Sequence, residues 1–286
     1  MSVQAPTASA GSSAANAPAS RTGAVRPASF FDSVRAEATK LRTVRSTWIT
    51  LLIAAVLSVG IGAAVSAVAA NHYAHASPSE RATFDPTSIS LSGFALAQLA
   101  VAILGILFVT SEYSTGMIRA SLSAVPRRGR LLAAKLLVYA VVSLVVGEIL
   151  AFISFFIGQL LLKGSPPAPY VTLGDHNVLR AVATTGLYLA VLSIIGIGLG
   201  TLVRSTAGAI SSIVALLFVL PGVAQALPTS LRRTVTKYWP TEAGRQVVQV
   251  VPGSHTLGPW AGFADMCIFA VIVVAIAAAV LQRRDA

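Results

Sequence analysis

The chain has 286 residues, 55% of them apolar and only 11% charged, with a formal net charge of +11. A soluble domain carries about 45–50% apolar and about 25% charged residues, so both departures point to a bilayer and away from a soluble fold. In so apolar a chain the positive balance reads as basic loops at an anionic leaflet. Nucleic-acid binding is set aside, because no basic run is interleaved with aromatic residues. The single cysteine, Cys267, excludes an intramolecular disulfide and a cysteine-based metal cluster.

Residues 1–29 are rich in Ala, Ser, Pro, Gly and Thr and hold no apolar run. Such a segment buries too little surface to offset its ordering entropy, so it reads as a disordered cytoplasmic leader. It lacks the apolar centre of a secretory signal. Residues 30–46 place Phe30, Phe31, Val34, Ala38 and Leu41 at helical spacing, with Arg35, Lys40, Arg42 and Arg45 between them. That is the pattern of a basic amphipathic helix lying in the membrane interface, with a solvated linker as the alternative.

From residue 47 to the end the chain reads as one six-span membrane domain. A hydrocarbon core of about 30 Å needs about 20 helical residues. Apolar runs of that order occupy 47–70, 91–110, 136–162, 179–203, 207–227 and 259–281. Pro221-Gly222 predicts a kink near the end of the fifth, and Gly196, Gly198 and Gly200 predict close packing of the fourth. Fourteen Lys and Arg residues fall on one side of these spans and seven on the other. The richer side, with both termini, is therefore expected in the cytoplasm. Tyr238, Trp239 and Trp260 suit an aromatic belt at the outer surface.

The chain has no phosphate-binding loop, no G-x-S-x-G, no H-E-x-x-H and no C-x-x-C. Enzymatic activity is not expected. The informative stretch is the loop after the second span, which opens on Glu112 just past the expected membrane edge. A short helix follows up to Pro126, then a basic cluster that reaches Lys135. Physically this is an element braced between two spans and able to pass on a push from a soluble partner; an ordinary positive-inside loop is the alternative. Gly116 is expected to permit a close backbone approach.

The pattern Glu112-Tyr113-Ser114-x-Gly116-x-Ile118 with Leu122, Pro126, Arg128, Leu132 and Lys135 resembles the loop between spans two and three of type-two ABC permeases, the actinobacterial ones especially. Tyr238-x-Pro240, Ala243-Gly244 and Pro259-Trp260-x-Gly262 extend the likeness over residues 30–286. The resemblance implies an all-α, six-span, exporter-like permease that pairs with a second permease subunit, the same or different, in a bacterial cytoplasmic membrane. It implies a separate ABC ATPase subunit that carries ATP and magnesium, with no cofactor on this chain. Carried over residue by residue, it places Glu112, Tyr113, Gly116, Arg119, Pro126 and Arg128 at the ATPase contact. The expected cargo is hydrophobic or amphipathic and moves outward.

Two acids stand apart from that resemblance. Glu148 falls near the middle of the third span, where a charge costs roughly 2.5–3.5 kcal/mol, so it is either a functional ion or proton site or a protonated acid bonded to a neighbouring helix. Asp265 lies nearer the outer end of span six and could reach headgroups. An ATP-independent transporter or channel built on Glu148, and a membrane-embedded sensor, are the competing classes.

Overall fold

The computed structural model describes residues 29–117, 128–251, 253 and 255–283. The leader up to residue 28 lies outside the described residues. So do Arg119, Pro126 and the side chain of Arg128, and with them most of the short helix expected after the second span.

Helix α1 covers Phe30–Thr43. Ser29 starts it by a reciprocal cap: its hydroxyl accepts from the Asp32 N–H, and the Asp32 carboxylate accepts from the Ser29 N–H at 2.9 Å. Val44, in an extended conformation, ends it and turns the chain directly into α2 (Arg45–Tyr73), the first span. Ser33, Glu37 and Leu41, one turn apart, are the buried residues of α1, while Phe31 is 81% exposed. The helix therefore packs on the protein by a face that includes an acid, and leaves its aromatic residues facing outward.

Short helices α3 (Pro78–Ala82) and α4 (Pro86–Ser90) lead to the second span, α5 (Phe94–Ser114). The third span, α6 (Arg128–Lys163), has 36 residues. At about 1.5 Å per residue it is roughly 54 Å long, well beyond the hydrocarbon core. Its first turns pack under α1, with Leu131, Leu132 and Lys135 buried. Span four is α7 (Val178–Ala183) followed by α8 (Thr185–Val203), broken at Thr184. Span five is α9 (Thr206–Val214), a π-helical turn at Ala215–Val219, and α10 (Leu220–Ala224). Helices α11 (Thr229–Tyr238) and α12 (Pro240–Arg245) precede the last span, α13 (Pro259–Arg283).

Six helical stretches among the described residues are long and apolar enough to cross a membrane, and each overlaps one expected from sequence. The chain is an all-α membrane protein. Two boundaries move with consequences. The second span runs one turn further than its apolar run, so Glu112 lies within the helix, and the third begins a turn or more earlier, so Lys135 lies within it too. Both charges are carried inside because they neutralise one another, which a hydropathy pattern does not register.

Span four is the centre, packing against spans two, three and six. Its glycines make the approach possible. A Cβ at Gly196 would stand 2.7 Å from the Ala102 carbonyl oxygen of span two, and one at Gly198 would stand 2.6 Å from Val273 Cγ1 of span six. Span one sits at the edge, with Leu52, Val56 and Val68 exposed. In water such a surface would drive aggregation; in a bilayer it meets lipid or another apolar subunit.

Candidate functional site: the end of span two

The chemistry collects at the α1 end of span two. Glu112, 1% exposed, accepts from both Lys40 of α1 and Lys135 of span three. Lys135 also donates to Glu37 of α1 at 2.8 Å. Two acids and two lysines from three helices thus make a charge-balanced cluster, as burial requires. The Phe108 ring floors it, with the Lys135 ammonium 5.0 Å and the Lys40 ammonium 6.0 Å from its centroid. Tyr139 stacks on Phe108 at 5.6 Å and donates its hydroxyl to the Val101 carbonyl at 3.1 Å.

The other side of the same helical turn grips the hairpin between spans four and five. Thr110 accepts from the Thr206 hydroxyl at 2.9 Å, and the Arg204 guanidinium lies 5.3 Å from the Tyr113 ring centroid. Arg204 adopts a left-handed conformation with φ 56°, which ends span four and lets Ser205 cap span five by accepting from the Gly208 N–H. Thr110 and Tyr113, three residues apart, share one side of span two, and Glu112 faces another. A single helix end therefore holds α1 and span three on one side and spans four and five on the other.

Of the residues expected to touch a partner, Glu112 is buried inside the chain, where its carboxylate faces two lysines. Tyr113 is half-buried against Arg204. Gly116 has φ +70° and follows the last helical residues, with its N–H donating to the Tyr113 carbonyl. No described atom lies within 4 Å of where its Cβ would stand. Glycine is needed there for the left-handed turn that stops the helix, not for a close approach within this chain.

Four residues of the cluster carry no motif. Glu37, Phe108, Thr110 and Arg204 are each ordinary in sequence. Only Glu37 left a trace: it shares with Leu41 the buried stripe of α1, an acid on an otherwise apolar spacing.

The two intramembrane acids are not joined by any described hydrogen bond. Glu148 packs against Gly186 at the start of α8. Its Cγ fills the space that a side chain at Gly186 would need, 2.6 Å from that missing Cβ. The break at Thr184 frees backbone donors, and an acid at a helix N-terminus suits them. Asp265 lies in the second turn of span six, half-buried, with no described partner for its Oδ2.

At the opposite end of the bundle the π turn in span five precedes Pro221, which cannot donate to the preceding turn. The helical irregularity there is the π turn just before the proline. The Leu216 carbonyl in that turn accepts from Trp239 Nε1 at 2.8 Å and Thr241 Oγ1 at 3.3 Å. Trp239 is therefore turned inward and does not join Tyr238 and Trp260, both exposed, at the surface. Beside it opens a cavity of about 500 Å³ lined by Phe94, Gln98, Tyr188, Phe218, Glu242 and Arg245 among others. The Tyr188 hydroxyl lies 3.3 Å from Gln98 Oε1 and 3.4 Å from the Thr241 carbonyl oxygen.

No curated protein matches the chain. Residues 33–222, from the buried stripe of α1 to the end of span five, match the family described as ABC-2 family transporter protein. With six spans, a helix packed across the start of the bundle, and a match over most of its length, the chain belongs to the ABC-2 transporter family and is the membrane subunit of an ABC transporter.

Proposed function

We propose that this chain is the permease half of an ATP-driven exporter in a bacterial cytoplasmic membrane, with its α1 end and both termini in the cytoplasm. ATP and magnesium are held by a separate ABC ATPase subunit, which presses on the segment after Gly116. The observation that carries the reading is the junction at the end of span two. A displacement entering there reaches α1 and span three through Glu112, and spans four and five through Thr110 and Tyr113. Glu112 acts as the anchor that makes the loop stiff, while Gly116, Arg119, Pro126 and Arg128 lie along the stretch available to the ATPase.

A second permease subunit covers the exposed apolar faces and completes the pathway. The cavity at the far end mixes aromatic walls with Gln98, Glu242 and Arg245, which suits an amphipathic cargo leaving the membrane. The test is crosslinking in a Cys267→Ser background. Cysteines introduced across 114–124 are expected to join an ATPase subunit, and cysteines in 228–258 are not. Failure of any nucleotide-binding subunit to crosslink or co-purify under gentle detergent conditions would overturn the reading.

A further inference from the structure

Helix α11 (Thr229–Tyr238) is unlike the rest of the bundle. It buries none of its ten residues, holds three cations and no acid, and lies at the end of the bundle opposite α1. On a helical wheel Leu231, Val235 and Tyr238 fall within one narrow arc, and Arg233 and Lys237 fall on the far side with Arg232 flanking. Leu231 is 50% and Tyr238 54% exposed and Val235 is half-buried, so most of the apolar arc faces away from the chain.

The depth of α11 is set by its neighbour. Trp239 reaches the carbonyl of Leu216, eight residues before the end of span five at Ala224. At about 1.5 Å per residue, that tether lies roughly 12 Å below the end of the span. The last turn of α11 is thus tied to a point below the end of span five. Trp260, in the first turn of span six, is 58% exposed.

We infer that α11 is a lipid-docking helix that seats the phosphate groups of anionic lipids in the leaflet opposite α1. The Leu231, Val235 and Tyr238 arc lies among acyl chains. Arg232, Arg233 and Lys237 reach up to headgroup phosphates, as long basic side chains do at an interface. Thr236 of the same helix lines the cavity beside Tyr188, so a bound lipid stands next to the cavity mouth.

The test reads binding alone, so its outcome is independent of whether the chain works with an ATPase. The full chain carrying Trp48→Phe and Trp260→Phe, with Trp239 as the remaining reporter, is placed in phosphatidylcholine nanodiscs. Brominated phosphatidylglycerol and brominated phosphatidylcholine are compared as quenchers. The anionic quencher is expected to be preferred, with about a fivefold loss of preference for each of Arg232→Gln, Arg233→Gln and Lys237→Gln. Arg232→Lys should keep the preference, and Arg81→Gln, outside α11, should not change it. Equal quenching by both lipids, or a preference untouched by the three Gln variants, overturns the proposal. So does efficient crosslinking of Leu231→Cys to a second copy in the Cys267→Ser background, which would make the partner subunit the occupant.

Discussion

Lys135 and Glu37 lie 2.8 Å apart although 98 residues separate them in the chain. Their contact, with Glu112 and Lys40 beside it, decides how α1 is held. The helix is bolted to the bundle by buried charge, while its aromatic residues face outward. Breaking a buried pair from one side leaves a charge without compensation, at a cost of about 3–5 kcal/mol. Lys135→Met should therefore lower the melting temperature of the purified protein sharply. Glu37→Gln combined with Lys135→Met should lose less than the two single changes added together. Strict additivity in that cycle would show that the two residues do not act on each other.

Gly116 separates two explanations of the turn after span two. Its left-handed φ costs a non-glycine residue about 1–2 kcal/mol, and asparagine tolerates it best. Gly116→Asn should retain transport-linked ATP hydrolysis in the assembled transporter, and Gly116→Val should reduce it while insertion is unaffected. If Asn and Val fail equally, the tight approach of a partner, and not the turn, is what excludes a side chain.

Gly93 is the packing point between spans one and two. Its carbonyl accepts from the Ser58 hydroxyl at 2.8 Å, and a Cβ on it would stand 1.8 Å from the Ser58 carbonyl oxygen. Gly93→Ala should force the spans apart and cost at least the roughly 1–3 kcal/mol of an overpacked core. Gly60→Ala, where no described atom lies within 4 Å, should be neutral. Comparing the yields and melting temperatures of the two variants checks this.

Glu148 is expected to work through structure. The Glu148 side chain fills the space beside Gly186, and glutamine has nearly the same shape, so Glu148→Gln should keep expression and transport near normal. Glu148→Ala empties that space and should lower the melting temperature. A Gln variant that expresses well but no longer transports would instead mark Glu148 as an ion or proton site.

Much of this architecture is legible along the chain because the bilayer imposes a local rule. About 20 apolar residues must occur together, so each span shows itself in its own segment, and the glycines of span four announce a close packing whatever the partner. The residue pattern around Glu112 and Gly116 likewise picks out the loop and the family without any contact being known. What periodicity cannot say is which charge meets which. Glu112 looks like the first residue of a surface loop, because hydropathy counts a carboxylate as exposed. Only the folded arrangement brings Lys40, Lys135 and Glu37 to it, and so lengthens two helices and buries the group. The inward turn of Trp239 has the same origin. Its partner is a carbonyl left free by the π turn before Pro221, 23 residues earlier, and such a vacancy exists only once span five has adopted that turn. Spans follow from the solvent, which acts on every residue at once; the junctions follow from pairings between distant residues, which exist only in the tertiary structure.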